Sequence, residues 1–173
     1  MIQLSKDALL NRMEQLDRDA FLKYDEDGKF HVVFVGGGAL ILMGYISRST
    51  HDLDVIMATN KLHKLFWKYD MNARVLAYEN SFPYNFGDRL KLLLVGKKID
   101  FYTASLEDIV IAKLYADRPQ DKQDVIAVVP YVDWDALERY ALNDDEAKAS
   151  ALNERNYNDF LFTYNEYVRR FRP

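Results

Sequence analysis

FHVVFVGGGALILM, residues 30–43, is the stretch that decides the fold. Its first six residues form a short β-rich run, Gly36-Gly37-Gly38 stops it, and Ala39-Leu40-Ile41-Leu42-Met43 resumes as a buried helix. A strand that ends in glycines and feeds straight into a helix presents free backbone N–H groups at the positive end of the helix dipole. Phosphate binds to such a turn. Glycine is also required there for purely conformational reasons, because tight strand-to-helix turns visit backbone angles that side chains disfavour.

Working outward, residues 53–57 (LDVIM) read as a second strand and residues 61–69 as a helix. Residues 89–95 and 99–102 read as two further strands joined at Gly96-Lys97-Lys98. Upstream, Leu4, Leu9, Met13, Leu16 and Ala20 recur at helical spacing behind Ser5, an N-cap residue type, and Asp25-Glu26-Asp27-Gly28 ends that helix. Downstream, Ser105 and Asp108 resemble a capping box that opens a helix reaching about Tyr115, and Pro119 suits the first turn of the next. From there only helical periodicity is visible, with Trp134, Leu137, Tyr157, Phe160, Leu161, Tyr164 and Val168 expected to be buried. Residues 80–88 read as a loop. The expected fold class is α/β in the α+β sense: a small mixed sheet flanked by helices, with a helical C-terminal layer. A single domain over residues 1–173 is expected, with its core at 30–125 and a helical extension at 126–173.

The composition narrows the function. Hydrophobic residues at 49% and aromatics at 14% belong to a globular protein. The absence of cysteine removes disulfides, thiolate zinc sites and a cysteine nucleophile. His31, His51 and His63 match no zinc spacing. No apolar run approaches the roughly 20 residues that span a bilayer, and no signal-like start is present, so a cytoplasmic protein without a membrane partner is expected. A net charge of −4 argues against a broad nucleic-acid surface but leaves room for a local basic patch, of which Arg169, Arg170 and Arg172 are one instance. A solvated helix end whose cations complement the dipole is the favoured reading of those three.

Asp52 and Asp54 carry the chemistry. Residues two apart in a strand share a face, so two carboxylates emerge together where the second strand begins. Left alone they repel and one should titrate high; a Mg²⁺ or Mn²⁺ between them removes the conflict with the hard oxygen ligands such ions prefer. The competing reading makes one aspartate a turn cap and leaves the other in solvent. The order of elements favours the metal: glycine turn, helix, Arg48-Ser49-Thr50, then Asp-Leu-Asp on a strand.

In this order the chain resembles the nucleotidyltransferase superfamily, in particular the AbiEii-like toxins and related bacterial proteins. VGGGAL (35–40) is similar to their Gly-Gly-x-Ala-Leu turn, and RSTHDLDV (48–55) to their Arg-x-Thr-x-Asp-hydrophobic-Asp segment. The resemblance implies a nucleotidyltransferase-like fold, Mg²⁺ or Mn²⁺ on Asp52 and Asp54, and transfer of a nucleoside monophosphate from an NTP. Gly36, Gly37, Arg48 and Thr50 would contact the nucleotide. It further implies a third carboxylate from a later strand, matched by Asp100 in KKIDFY, which would complete the metal site and act as base. Residues 105–125 resemble the family's lysine-arginine-aspartate block at Lys113, Arg118, Asp121 and Asp124, with Lys113 and Arg118 toward the nucleotide. Lys113 shares the apolar helix face of Ile109 and Val110, so its ammonium needs an anion. A nucleotide phosphate, the carboxylate of Asp100, or escape to solvent along its own stem are the alternatives.

The leading expectation is thus a metal-dependent nucleotidyltransferase, of the kind found as the toxin of a toxin-antitoxin pair with a cognate antitoxin as partner. Its acceptor (tRNA, another RNA, a protein or a small molecule) is left open. A catalytically inactive nucleotide-binding or regulatory module is the alternative. A metal phosphoesterase is disfavoured because no histidine cluster accompanies the carboxylates.

Overall fold

Strand β1, Phe30–Val35, is the middle member of a five-stranded mixed sheet and is buried from Val32 to Val35. A computed structural model describes residues 4–25, 27–51, 53–57, 60–73 and 80–173 of the chain. They divide into two units, one holding residues 4–73 and 90–104 and the other residues 80–89 and 105–173. The dividing point at 104/105 falls inside the expected 30–125 core. The fold is mixed α+β, with eight α-helices among the described residues.

In the sheet unit the remaining strands are β2 (Leu53–Met57), β3 (Met71–Ala73), β4 (Lys91–Val95) and β5 (Ile99–Thr103), in the order β3-β2-β1-β5-β4. β1 runs antiparallel to β2 and parallel to β5, β2 is parallel to β3, and β4 and β5 form an antiparallel hairpin. Strand alternation puts Val32, Phe34, Leu53, Val55, Ile99, Phe101 and Thr103 on one buried face, where the Phe34 and Phe101 rings stack at 5.8 Å. Helix α2 (Gly36–Leu42) lies on that side: the Thr103 hydroxyl reaches the Met43 thioether just beyond its end at 3.2 Å. Helix α1 (Lys6–Lys23) packs beside it, and α3 (His63–Lys68) packs on α1 and β3. The stripe Leu9, Met13, Leu16 and Ala20 of α1 is fully buried, and Ser5 caps its N-terminus. Leu4, grouped with that stripe from the sequence, lies outside the helix and pairs its backbone with Thr50.

The Asp17 carboxylate accepts the backbone N–H groups of Lys97, Lys98 and Ile99, each at 2.8 Å, and so fastens α1 to the β4–β5 turn. Gly96 makes this possible. A Cβ there would meet the Ile99 carbonyl at 2.4 Å and the Asp17 carboxylate at 2.5 Å.

The second unit is helical: α4 (Leu106–Ala116), α5 (Pro119–Ala127), α6 (Trp134–Leu142), α7 (Ala147–Ser150) and α8 (Glu154–Phe171). α4 is apolar almost all round and packs on α5, α6 and α8. Asp117, in the left-handed region at φ 50°, ends it and lets Pro119 start α5. The buried stripe of α8 is Tyr157, Phe160, Tyr164 and Tyr167. Leu161 and Val168, expected in the core, are half-buried on its flank, as is Trp134 of α6. Tyr167 takes the core position because its hydroxyl finds the Val125 carbonyl at 2.6 Å, just as Tyr157 finds Ala141 at 2.8 Å.

Candidate active site

The glycine turn and the second strand meet at one end of the sheet. Gly36 begins α2 at φ +72°, a conformation that penalises any side chain, and no side chain caps that helix start among the described residues. Asp54 faces Val35 across the β1–β2 ladder. Its Oδ2 lies 3.2 Å from where a Cβ on Gly36 would stand, so the missing side chain is what admits the carboxylate to the turn. Asn72 of β3 is in register with Asp54 and donates to its Oδ1 at 3.5 Å. Asn72 was not singled out from the sequence, because the three-residue strand that carries it has too few residues to show a period.

Asp52 lies outside the described residues, so its side chain has no place in this geometry. Arg48 and Thr50 are half-buried on the segment leading toward β2. The Arg48 guanidinium donates to the Ser49 carbonyl at 3.2 Å, and the Thr50 backbone is engaged with Leu4.

Asp100 does not join Asp54. It shares the sheet face but pairs with His31, at the far end of β1 from Val35. From His31 to Val35 is a displacement of roughly 13 Å along the strand at ~3.3 Å per residue, well beyond sharing a metal at ~2.1 Å per ligand. Its ion partner is Lys29. The residue of β5's chain nearest the Asp54 end is Ala104, whose N–H reaches the Phe34 carbonyl at 3.2 Å and which offers no ligand. The expectation that Asp100 completes the metal site is therefore corrected by strand register. Among the described residues no group of three or more His, Cys, Asp or Glu side chains converges on a point.

Lys113 also differs from its expected roles. It is buried on α4 and bonds to Asp121 Oδ1 at 3.1 Å and Asp124 Oδ2 at 2.9 Å, two carboxylates of α5 that are themselves buried. The anion it needs comes from its own helical unit rather than from Asp100. Arg118 bonds to Asp121 at 2.7 Å. Burial pushes the Asp121 carboxyl up, but the Arg118 hydrogen bond and the Lys113 charge outweigh it and hold the group below the ordinary carboxylate value.

A second buried network was not read from the sequence. Arg89 grips Asp108 at 2.7 and 3.0 Å and Glu146 at 2.7 and 3.0 Å, and its plane lies 3.7 Å over the Tyr140 ring. Asp108 does more than its expected capping duty: its backbone N–H meets Ser105 Oγ at 3.1 Å while its fully buried carboxylate takes Arg89. Glu146 is raised by burial yet held below its ordinary value by Arg89. Burial opposes the charge on Arg89, and the two carboxylates more than restore it.

No helix of the described residues is long and apolar enough to cross a membrane. No curated protein and no solved structure matches the chain. A family model does match, over residues 11–172, and it covers the glycine turn, Asp54 and the Lys113–Asp121–Asp124 cluster alike. The chain belongs to the family described as nucleotidyltransferase of unknown function (DUF6036).

Proposed function

We propose that the protein transfers a nucleoside monophosphate from an NTP to an acceptor at the end of the sheet where Gly36 and Asp54 meet, a bond from the acceptor to the α-phosphorus replacing the α–β phosphoanhydride bond and pyrophosphate leaving. The observation that carries this reading is the 3.2 Å approach of Asp54 Oδ2 to the Cβ position of Gly36, which sets a hard anionic ligand against a phosphate-receiving turn. Asp54 and Asp52 would hold Mg²⁺ or Mn²⁺; the oxygen donors and the side-chain-free turn fit such an ion. When bound, the ion offsets phosphate charge and orients the α-phosphoryl group for in-line attack. The backbone N–H groups at Gly36 and Gly37 receive phosphate oxygens, with Arg48 and Thr50 assigned to the rest of the triphosphate. Asn72 steadies Asp54 through its amide. Transfer of this kind needs positioned charge rather than a covalent nucleophile. The resemblance to AbiEii-like toxins extends the proposal to the toxin of a toxin-antitoxin pair held in check by a partner protein.

The test is incubation with each labelled NTP, Mg²⁺ or Mn²⁺ and a cell extract, followed by sorting of label into RNA, protein and small-molecule fractions. Transfer by the native protein and at least a ~100-fold loss in Asp54→Asn is expected. NTP binding without labelled product in any fraction would favour the inactive nucleotide-binding module instead.

A further inference from the structure

Helices α1 and α3 of the sheet unit run side by side and enclose an open groove of about 510 Å³. Its lining is Arg12, Gln15, Arg18, Asp19, Lys68 and Tyr69, three cations against one carboxylate in a chain of net charge −4. That carboxylate is already engaged. Asp19 accepts Lys68 Nζ at 2.9 Å and the Tyr69 hydroxyl, and the Lys68 and Tyr69 hydrogen bonds hold it below its ordinary value. Arg12 spans the groove to the Tyr69 carbonyl at 2.9 Å and to Asp70 at 3.0 Å. Arg18 is exposed and has no ion pair among the described residues.

The α3 side extends the same charge. Residues 60–69, NKLHKLFWKY, hold three lysines and no carboxylate. Lys64 and Lys68 are one helical turn apart, and Trp67, three residues after Lys64 and 85% exposed, stands beside Lys64 on the side away from Lys68. An aromatic face this open beside a lysine ammonium suits a nucleobase joined to phosphates. Of the C-terminal arginines, Arg169 pairs with Glu166 and Arg172 with Asp135 and Glu138, while Arg170 lies over the ring of Phe171 at 5.3 Å.

We propose that this groove, together with the exposed face of α3 beside it, binds single-stranded nucleic acid, with Arg12, Arg18 and Lys68 of the groove and Lys64 of the adjoining face on the phosphates and Trp67 stacked on a base. An acidic peptide would satisfy the cations and leave Trp67 without a partner. A duplex has no free base to offer it. The groove closes at Asp70, which turns the chain at φ 53° into β3, and the next residues of β3 lie in register with Leu53 and Asp54. Nucleic acid bound here is a candidate acceptor for the transfer reaction. Its role as acceptor rests on the transfer reading above, whereas its binding does not.

The test measures binding in EDTA without NTP, so that its outcome is independent of whether transfer occurs. Fluorescein-labelled oligo(U) and oligo(dT) of twelve nucleotides are titrated by anisotropy, with oligo(U) quenching of Trp67 fluorescence followed in a Trp134→Phe background. Expected are saturable binding and a slope of log K against log salt near −2 to −3, from ~0.7 per neutralised phosphate. Trp67→Ala should weaken it roughly 5- to 100-fold, the range of one lost stacking contact. Arg18→Glu with Lys64→Glu should weaken it more than about tenfold and flatten the slope by about 1–2. All three side chains are exposed, and unchanged melting of the variants separates binding from folding. Equal binding by wild type and both variants overturns the proposal, as does tighter binding of a duplex, or of poly-glutamate with Trp67 unquenched. The ratio of oligo(U) to oligo(dT) affinity then assigns the sugar preference.

Discussion

Lys113→Met tests whether the buried Lys113, Asp121 and Asp124 cluster holds the helical unit together. Methionine keeps the stem's apolar contacts and removes only the ammonium. Asp121 retains Arg118 at 2.7 Å and Asp124 the Gln120 amide at 3.2 Å, but both carboxylates, each 2% exposed, lose the ammonium that neutralises them. An ion pair broken from one side at such depth costs about 3–5 kcal/mol, which for a chain of this length lowers Tm by roughly 6–20 °C. Asp121 titrates low in the folded protein, so its pairing contributes fully above the ordinary carboxylate value near ~4 and is lost as pH falls through the lower native value. The gap between wild type and variant should therefore be widest at neutral pH and narrow on acidification. Guanidinium unfolding followed by Trp134 fluorescence in a Trp67→Phe background reads the helical unit alone. Adding Asp124→Asn should recover about half of the loss. A cost below about 1 kcal/mol at pH 7, with no coupling to Asp124, would refute the reasoning.

Gly36→Ala should cost about 1–2 kcal/mol from its positive φ and displace the Asp54 carboxylate, so nucleotide transfer should fall further than stability, as parallel melting and transfer assays will show. Asp17→Ala removes the shared acceptor of three backbone N–H groups and should destabilise the sheet unit by about 3 kcal/mol, read by chemical denaturation. Asp100→Asn should leave Mn²⁺ affinity within about twofold of wild type in a calorimetric titration and alter stability by less than about 1 kcal/mol, because it loses only its pair with Lys29. A large loss of metal affinity in that variant would place Asp100 at the site after all.

The strand-to-helix passage of residues 30–43 was legible because each part is a local pattern, a β-branched run, a glycine stop and an apolar resumption, although the helix takes in all three glycines and begins at Gly36 rather than Ala39. So was the α1 stripe, whose four core residues are all fully buried. What the sequence hid is register. Asp100 has the flanking residues of a third carboxylate, but only its pairing with His31 tells that it sits at the wrong end of β1. Lys113 was legible as a buried cation from its helix face, whereas its partners were not, since nothing local distinguishes Asp121 and Asp124 from Asp100 as its anion. The Arg89 network was invisible for the same reason: its members are drawn from positions 89, 108 and 146, and ion pairs across such separations leave no periodic trace.

The Arg89 clamp also sets a timetable. Residues 80–89 belong to the helical unit yet are followed by β4 and β5 of the sheet unit, so the chain leaves one unit, returns to the other, and leaves again. During synthesis at ~5–20 residues per second, Arg89 emerges several seconds ahead of Glu146, 57 residues later. For that interval one arm of the clamp waits in water while β4 and β5 follow it out of the ribosome. The helical unit cannot close before Glu146 has left the ribosome. A fragment beginning at Ser105 would never close in this way, having lost Arg89, whose guanidinium pairs with both Asp108 and Glu146.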